Sequence, residues 1–585
     1  MAKRPRKPVT RQAGHVAETS DKTLRSYAVG AAPIIDHVLG RMKLAEILQR
    51  HLPADDGRTK VPTATGLLLL VRNVLISREP VYGVADWASG YAPDLLGLVE
   101  SQLTALNDDR LGRCLGGPFA GLGPEWILDV VRHCIREFGL RLDELHNDST
   151  SISFYGKYPD AAQEGTRRGR PTPAITWGFS KDHRPDLKQL LYILTITEDG
   201  GVPVYFTSAS GNVSDDQTHG DTWDLLYQLV GHPNFLYVAD CKLASTANLD
   251  HLARRGGRFV TVLPATRRED DEFRRQLSAS VPATAWRHLY DVTRPTLDDQ
   301  QETVDRLSVW SEEQATHEGY RLLWYHSTRK AEHDRRARHE RTERALLELG
   351  ALRGRLDGPR SRFRERGQVE QAVTEILTAR DVQRWVTVRV ADEETAHYRQ
   401  ATPGRPGKDT RYVREVQTRF SLFAQVDAAQ LKQEEVADGV FPLLTNQREM
   451  SAEEVLRAYK RQPFIEKRFS QFKSDFAVAP VYLKDIGRIQ GLLGVYFLAL
   501  LVQTLLEREL RQAMQRTGVE HLPLYGEQRD CRHPTARKVF DAFELVQRHV
   551  LTLSGGGTES MLTQLSPLQR QILKLLGIPA ATYGQ

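Results

Sequence analysis

The chain has 585 residues, 40% of them hydrophobic and 26% charged, with a net charge of +5 and a pI near 8.8. That is too long for one hydrophobic core, so several domains are expected, and the composition is that of a soluble globular protein. The mild basicity permits a polyanionic partner without requiring one. Four cysteines, Cys114, Cys134, Cys241 and Cys531, stand in no C-x-x-C or other zinc spacing. This usage excludes a disulfide framework and suits a cytoplasmic protein. No apolar run follows the basic N-terminus, so no signal peptide is expected. The most apolar stretch, residues 491–506, contains Gln503 and leads into a charged segment. It is expected to be a buried core helix, with no membrane partner.

Residues 1–20 are polar and basic, and are expected to be a disordered tail. Residues 21–140 predict an all-α N-terminal domain, used for DNA binding, for dimerisation or for packing alone. Its clearest runs are 63–77, with Thr63 as N-cap, and 124–139. From 141 to 268 the apolar period shortens toward two. Residues 142–156 predict a strand ending near Asp148, and 174–182 a second strand. Residues 189–209 predict two strands joined at Glu198-Asp199-Gly200-Gly201, a strong hairpin signal. A helix at 219–231 follows, then a buried strand over 234–245 that ends at Asp240. A Ser-capped helix at 245–256 and a strand at 258–266 complete the run. This order predicts an α/β layer with a mixed sheet.

Residues 269–437 predict an α+β insertion. It carries strand-like pieces at 321–326, 385–391 and 419–426, a very charged helix at 328–356 and a second helix to about 379. The charges on the long helix are expected to form a solvated face; lining a DNA channel is the sharper alternative. Residues 438–515 hold a strand at 439–446, a helix over 451–475 and the apolar helix from 485 to 511. Residues 516–585 predict a helical C-terminus with a helix at 533–551 and a flexible linker at 554–560.

The 451–475 segment sets Tyr459, Glu466 and Lys473 seven residues apart. At about 100° per residue they share nearly one helical face. Asp148 and Asp240, each at an expected strand end, supply two further acids. Three carboxylates with open positions suit Mg²⁺ or Mn²⁺, and two such ions can activate a water or a 3′-hydroxyl in phosphodiester transfer. Other candidates are Lys242, within reach of a phosphate beside Asp240, and His183 with Arg184, in a turn facing DNA or forming a surface ion pair. Trp177 is expected in the core, and Asn147 on the opposite face of its strand from Asp148.

Together these segments resemble the DDE transposases of bacterial insertion sequences, in the subgroup marked Y-x2-R-x3-E-x6-K around the third acid. Tyr459, Glu466 and Lys473 match that spacing. Residues 146–156 (HNDSTSISFYG) and 237–245 (YVADCKLAS) resemble the segments of the first and second acids. Residues 178–190 (GFSKDHRPDLKQL), the pair Gly211-Asn212 and residues 438–446 (DGVFPLLTN) also resemble the subgroup, so the likeness covers most of the chain. It implies a ribonuclease H-like core, interrupted between the second Asp and the Glu by the insertion. It also implies that Asp148, Asp240 and Glu466 ligate two ions of Mg²⁺ or Mn²⁺. Tyr459 and Lys473 would then contact DNA phosphate. The sequence departs from the subgroup where Gln462 holds the arginine position, with Arg461 beside it; either is a candidate for the phosphate. Pro463 then kinks or restarts the helix.

The expected function is a bacterial, cytoplasmic transposase that acts as a homodimer on double-stranded DNA, cleaving element ends and joining them to target DNA. A metal-dependent nuclease on the same core, without strand transfer, and an inactive DNA-binding derivative are the alternatives.

Overall fold

A computed structural model describes residues 17–583 except 20–21, 117–118, 168, 280–284, 296–300, 359–360, 480, 528 and 554–556. Most of the expected basic tail and the glycines at 555–556 therefore lie outside the described residues. The chain divides into two compact units: residues 1–261 with 457–585, and residues 262–456. The fold is mixed α/β.

The first unit is built on five strands: β1 (Glu144–Phe154), β2 (Lys188–Thr197), β3 (Pro203–Ser210), β4 (Leu236–Val238) and β5 (Arg258–Val262). Their spatial order is β3-β2-β1-β4-β5. β1, β2 and β3 pair antiparallel, whereas β4 runs parallel to β1 and β5 parallel to β4. β1 and β2 are buried along almost their whole length; β2 is accordingly mostly apolar, whereas β1 buries Glu144, His146 and Asn147 as well. The β2–β3 turn falls at the expected Asp-Gly-Gly. Gly200 and Gly201 take φ of 83° and 63°, which glycine adopts without a Cβ clash.

Three strand expectations need correction. Asp148 stands in the middle of β1, opposite Leu194, and the strand runs on to Phe154. β4 stops at Val238; Asp240 lies beyond it as the cap of a short 3₁₀ turn, Cys241–Ala244. Residues 174–182 form a loop with one isolated bridge, Thr176 to Gln189.

The apolar run became a 32-residue helix, Ile486–Thr517. It meets the length and composition of a membrane span, but 89% of its most apolar window is buried inside the protein. The helices Ala32–Arg41, Thr63–Ile76 and Asp108–Gly116 pack around it. Asp55, rather than Thr63, caps the second of these, accepting from the Thr63 amide at 2.9 Å. The N-terminal region is not all-α, nor is the C-terminal tail all helical. Lys22–Ala28 pairs antiparallel with Gln547–Leu553, which pairs in turn with Thr558–Leu562, where a linker was expected.

In the second unit, Trp286–Pro295, Gln301–Trp310, Arg321–Ser327 and Val440–Thr445 form an antiparallel sheet. The charged helix Thr328–Asp357 presents Ala345, Leu349, Leu352 and Leu356 to a core shared with Arg366–Arg380 and the long hairpin Val386–Gln400/Tyr412–Val426. This stripe at spacings of three and four is the helix's packing face; its charges occupy the remainder. Arg338 on the same helix is buried and makes a bidentate pair with Asp438, both bonds 2.6 Å.

Candidate active site

The segment expected as one helix is three pieces: α1 (Ala452–Lys460), α2 (Pro463–Ser470) and a π turn, Gln471–Asp475. Proline has no amide hydrogen, so the ladder breaks at Pro463. The chain crosses the gap with tighter bonds, Gln462 N–H to Tyr459 O (2.9 Å) and Ile465 N–H to Gln462 O (3.0 Å). Tyr459, Glu466 and Lys473 therefore ride on three successive elements rather than one straight face.

The break is fixed to β1 by the two residues considered for phosphate contact. Gln462 is buried; its amide donates to Asn147 O (3.1 Å), and its Oε1 accepts from His146 Nδ1 (2.9 Å). Arg461 forks onto Glu144, with bonds of 2.7 and 2.5 Å. Glu144 also meets His146 Nε2 at 2.8 Å. Burial pushes the Glu144 carboxyl up, but the bonds from His146 and Arg461 prevail and hold it at about 2. Both side chains are engaged with β1, Gln462 buried and Arg461 30% exposed. They pin the start of α2 to the strand that carries Asp148.

This seam positions the acids. Asp148 is mostly buried and accepts from the Ser149 amide at 2.7 Å. Its carboxyl is raised to about 6, first by burial and further by Asp240 and Asp215, against the pull of Lys181. Asp240 caps its turn through the Lys242 amide (3.0 Å), and its carbonyl accepts from Thr261 Oγ1 (2.6 Å). Glu466 is exposed on α2 and makes no hydrogen bond or ion pair among the described residues. The Tyr459 phenol registers all three acids. Burial first, and then Asp240, Cys241, Glu466 and Asp148, together raise it to about 12.

Two further members of the cluster are Lys181, within residues 178–190, and Asp215, in the connection before the helix that begins at His219. Lys181 extends from the 174–187 loop, and its ammonium donates to Ser149 O (2.8 Å), Ser149 Oγ (2.8 Å) and Asp148 Oδ1 (3.4 Å). It also lies 2.9 Å from Asp215 Oδ2. Asp215 accepts from the Ser149 hydroxyl at 2.6 Å. Burial alone would lower the Lys181 ammonium, but the Asp148 and Asp215 carboxylates outweigh it and raise it. His219, beneath them, is buried and bonds Tyr237 through Nδ1 (3.0 Å), while its Nε2 has no partner among the described residues. Burial lowers its ring to about 4, so it is neutral at pH 7.

The loop that delivers Lys181 is held by backbone. Gln189 donates to Phe179 O (3.0 Å) and Gly211 O (2.7 Å), and the Lys181 amide donates to Ser151 Oγ (3.2 Å). Gly178 and Gly211 meet so closely that a Cβ on either would strike backbone. Lys473 pairs with Asp182 of this loop at 2.5 Å. Arg184 makes a bidentate ion pair with Asp186, at 2.8 and 2.7 Å, the surface alternative foreseen for it. His183 is exposed at φ 55°, and the exposed Lys242 side chain has no partner among the described residues. Trp177 is not a core residue: it is 57% exposed, with Lys188 Nζ 4.8 Å from its ring, and Phe179 beside it is exposed too. Asn147 points away from Asp148 and bonds Thr195 Oγ1 at 2.9 Å.

The donor set of carboxylates suits a hard divalent cation, and a cation, the Lys181 ammonium, already stands between two of them. In this arrangement, no three His, Cys, Asp or Glu side chains among the described residues close on one point. Elsewhere in the first unit, a cleft of about 620 Å³ is lined by Lys43, Arg50, Arg132 and Arg136 against Glu46 and Asp129.

The chain matches no protein-family model and no curated protein. Among solved structures it is similar to the piggyBac transposase in its synaptic complex with hairpin DNA. The match is 11% identical with a TM-score of 0.23, and covers 51% of this chain and 59% of that one. Similarity at that level carries no argument about fold or function, so the mixed α/β description stands on strand order and pairing alone.

Proposed function

We propose that the chain is a DDE transposase on a ribonuclease H-like core, which cuts the phosphodiester bonds at element ends and joins the freed 3′-hydroxyls to target DNA. The observation that carries this reading is that Asp148 on β1, Asp240 just past β4 and Glu466 on α2 all act electrostatically on the Tyr459 phenol, although the insertion separates the second acid from the third and the three do not close on one point. Three antiparallel strands followed by two parallel ones support the core assignment. So does the placing of the acids on the first strand, just past the fourth, and on a later helix.

In this reading Asp148, Asp240 and Glu466 hold Mg²⁺ or Mn²⁺, which when bound supplies charge stabilisation at the reacting phosphate. Tyr459 orients the acids' oxygens or a phosphate through its hydroxyl, and stays protonated at neutral pH. Lys473 and Lys242 offer point charges to the DNA backbone, Lys473 by exchanging Asp182 for phosphate. The protein acts on DNA as a homodimer.

The test is incubation of the purified protein with end-containing DNA and Mg²⁺. Nicking, followed by strand-transfer products, is expected from the wild type and neither from Asp240→Ala. Equal nicking by the two proteins would refute the assignment of Asp240. Nicking without joined products would reduce the activity to that of a nuclease.

A further inference from the structure

Lys181 does something no surface lysine needs to do. Its ammonium is enclosed by four oxygens: the Ser149 carbonyl and hydroxyl, Asp215 Oδ2 and Asp148 Oδ1. The side chains of Lys181, Asp148 and Asp215 are only 27%, 21% and 16% exposed. Carboxylates gathered in such a place are costly unless something neutralises them. Here the chain supplies the neutralising charge itself.

We propose that Lys181 is a built-in counter-cation of the acidic centre. Its ammonium holds Asp148 and Asp215 together in the free protein, and a divalent cation must displace it to be seated. The proposal rests on the reading of Asp148 and Asp240 as metal ligands. The Asp148 oxygen facing the ammonium cannot also be a metal ligand without bringing two cations together. The backbone of the loop is tied down by Gln189 and Ser151, so the exchange is a swing of the flexible lysine stem. Asp215 then becomes an added carboxylate of the centre, able to receive either cation.

Displacement is a negative coupling between two ligands for one site, and it is reciprocal. Removing the lysine charge therefore strengthens metal binding. Calorimetric titration of the whole protein with Mn²⁺ alone should show Lys181→Met binding on the order of 10-fold more tightly than wild type. Lys181→Arg, which keeps a cation, should stay near wild type; thermal melting checks that each variant is folded.

A second readout needs neither activity nor a variant. Mg²⁺ should increase acylation of Lys181 by an amine-reactive reagent, measured by mass spectrometry of the modified peptide. Equal or weaker Mn²⁺ binding by Lys181→Met, or unchanged acylation of Lys181 with Mg²⁺, would overturn the proposal. If Asp148→Asn and Asp240→Asn leave Mn²⁺ binding unaltered, the metal centre itself is misassigned and this proposal falls with it. Metal binding that is lost in those two variants but unmoved in Lys181→Met overturns the counter-cation alone.

Discussion

Replacing Arg461 with alanine tests the seam between β1 and α2 most directly. The Glu144 side chain is 9% exposed and Arg461 is 30% exposed. Removing the guanidinium leaves an almost buried carboxylate with His146 as its remaining partner. Breaking a buried ion pair from one side costs about 3–5 kcal/mol. Water can reach the arginine end of this pair, so a loss of about 2–3 kcal/mol is expected for Arg461→Ala.

The pH dependence reports on the same contacts of Glu144, those from His146 included. Glu144 is held at about 2 instead of the ordinary 4.5. A carboxyl lowered in the folded state adds stability above its unfolded pKa and loses it as the pH falls. The contribution is about 3 kcal/mol at neutral pH, complete above about 4.5 and lost toward 2.

Urea unfolding followed by circular dichroism at pH 7 and at pH 3 measures both effects. Arg461→Ala should be less stable at pH 7 and should lose less between pH 7 and pH 3 than wild type does. The pair Glu144→Gln with Arg461→Met should recover part of the loss, because neither change then strands a charge. A loss below about 0.5 kcal/mol for Arg461→Ala, with an unchanged pH profile, would refute the argument, since that is the range of an ordinary surface substitution.

Four further outcomes are expected. Gln462→Ala strands the His146 ring and the Asn147 carbonyl, so it should cost about 1–3 kcal/mol in the same unfolding assay. Arg468→Met should cost about 3–5 kcal/mol, because Arg468 holds the buried Glu507 at 2.9 Å and both carbonyls of the Gly200-Gly201 turn. Gly211→Ala, whose Cβ meets the backbone oxygens of Gln189 and Thr176, should lower stability by about 1–3 kcal/mol and make the 174–187 loop easier to cleave with protease. If the basic cleft takes DNA phosphate, neutralising Lys43, Arg50 and Arg136 together should reduce the slope of log K against log salt by about 2–3. An unchanged slope would show that DNA does not lie there.

Local chemistry determined much of the first unit. Asp-Gly-Gly between two apolar runs can close a hairpin by itself, and Pro463 lacks the hydrogen that would continue its helix. The spacing of Tyr459, Glu466 and Lys473 needs no distant partner to be noticed. Only tertiary structure decided what these residues touch. Alternation shows that residues 144–154 form a strand but not where pairing stops, so Asp148 was expected at an end it does not occupy. No local pattern shows that β1 brings Glu144, His146 and Asn147 beside Arg461 and Gln462. Lys22–Ala28 pairs with Gln547–Leu553 from the other end of the chain, and no local pattern encodes such a partner. The surroundings of Lys181 and Asp215 are non-local in the same way. Each is an ordinary charged residue in a polar loop, and its role comes from long-range packing that closes Asp148, Ser149 and Asp215 around one ammonium.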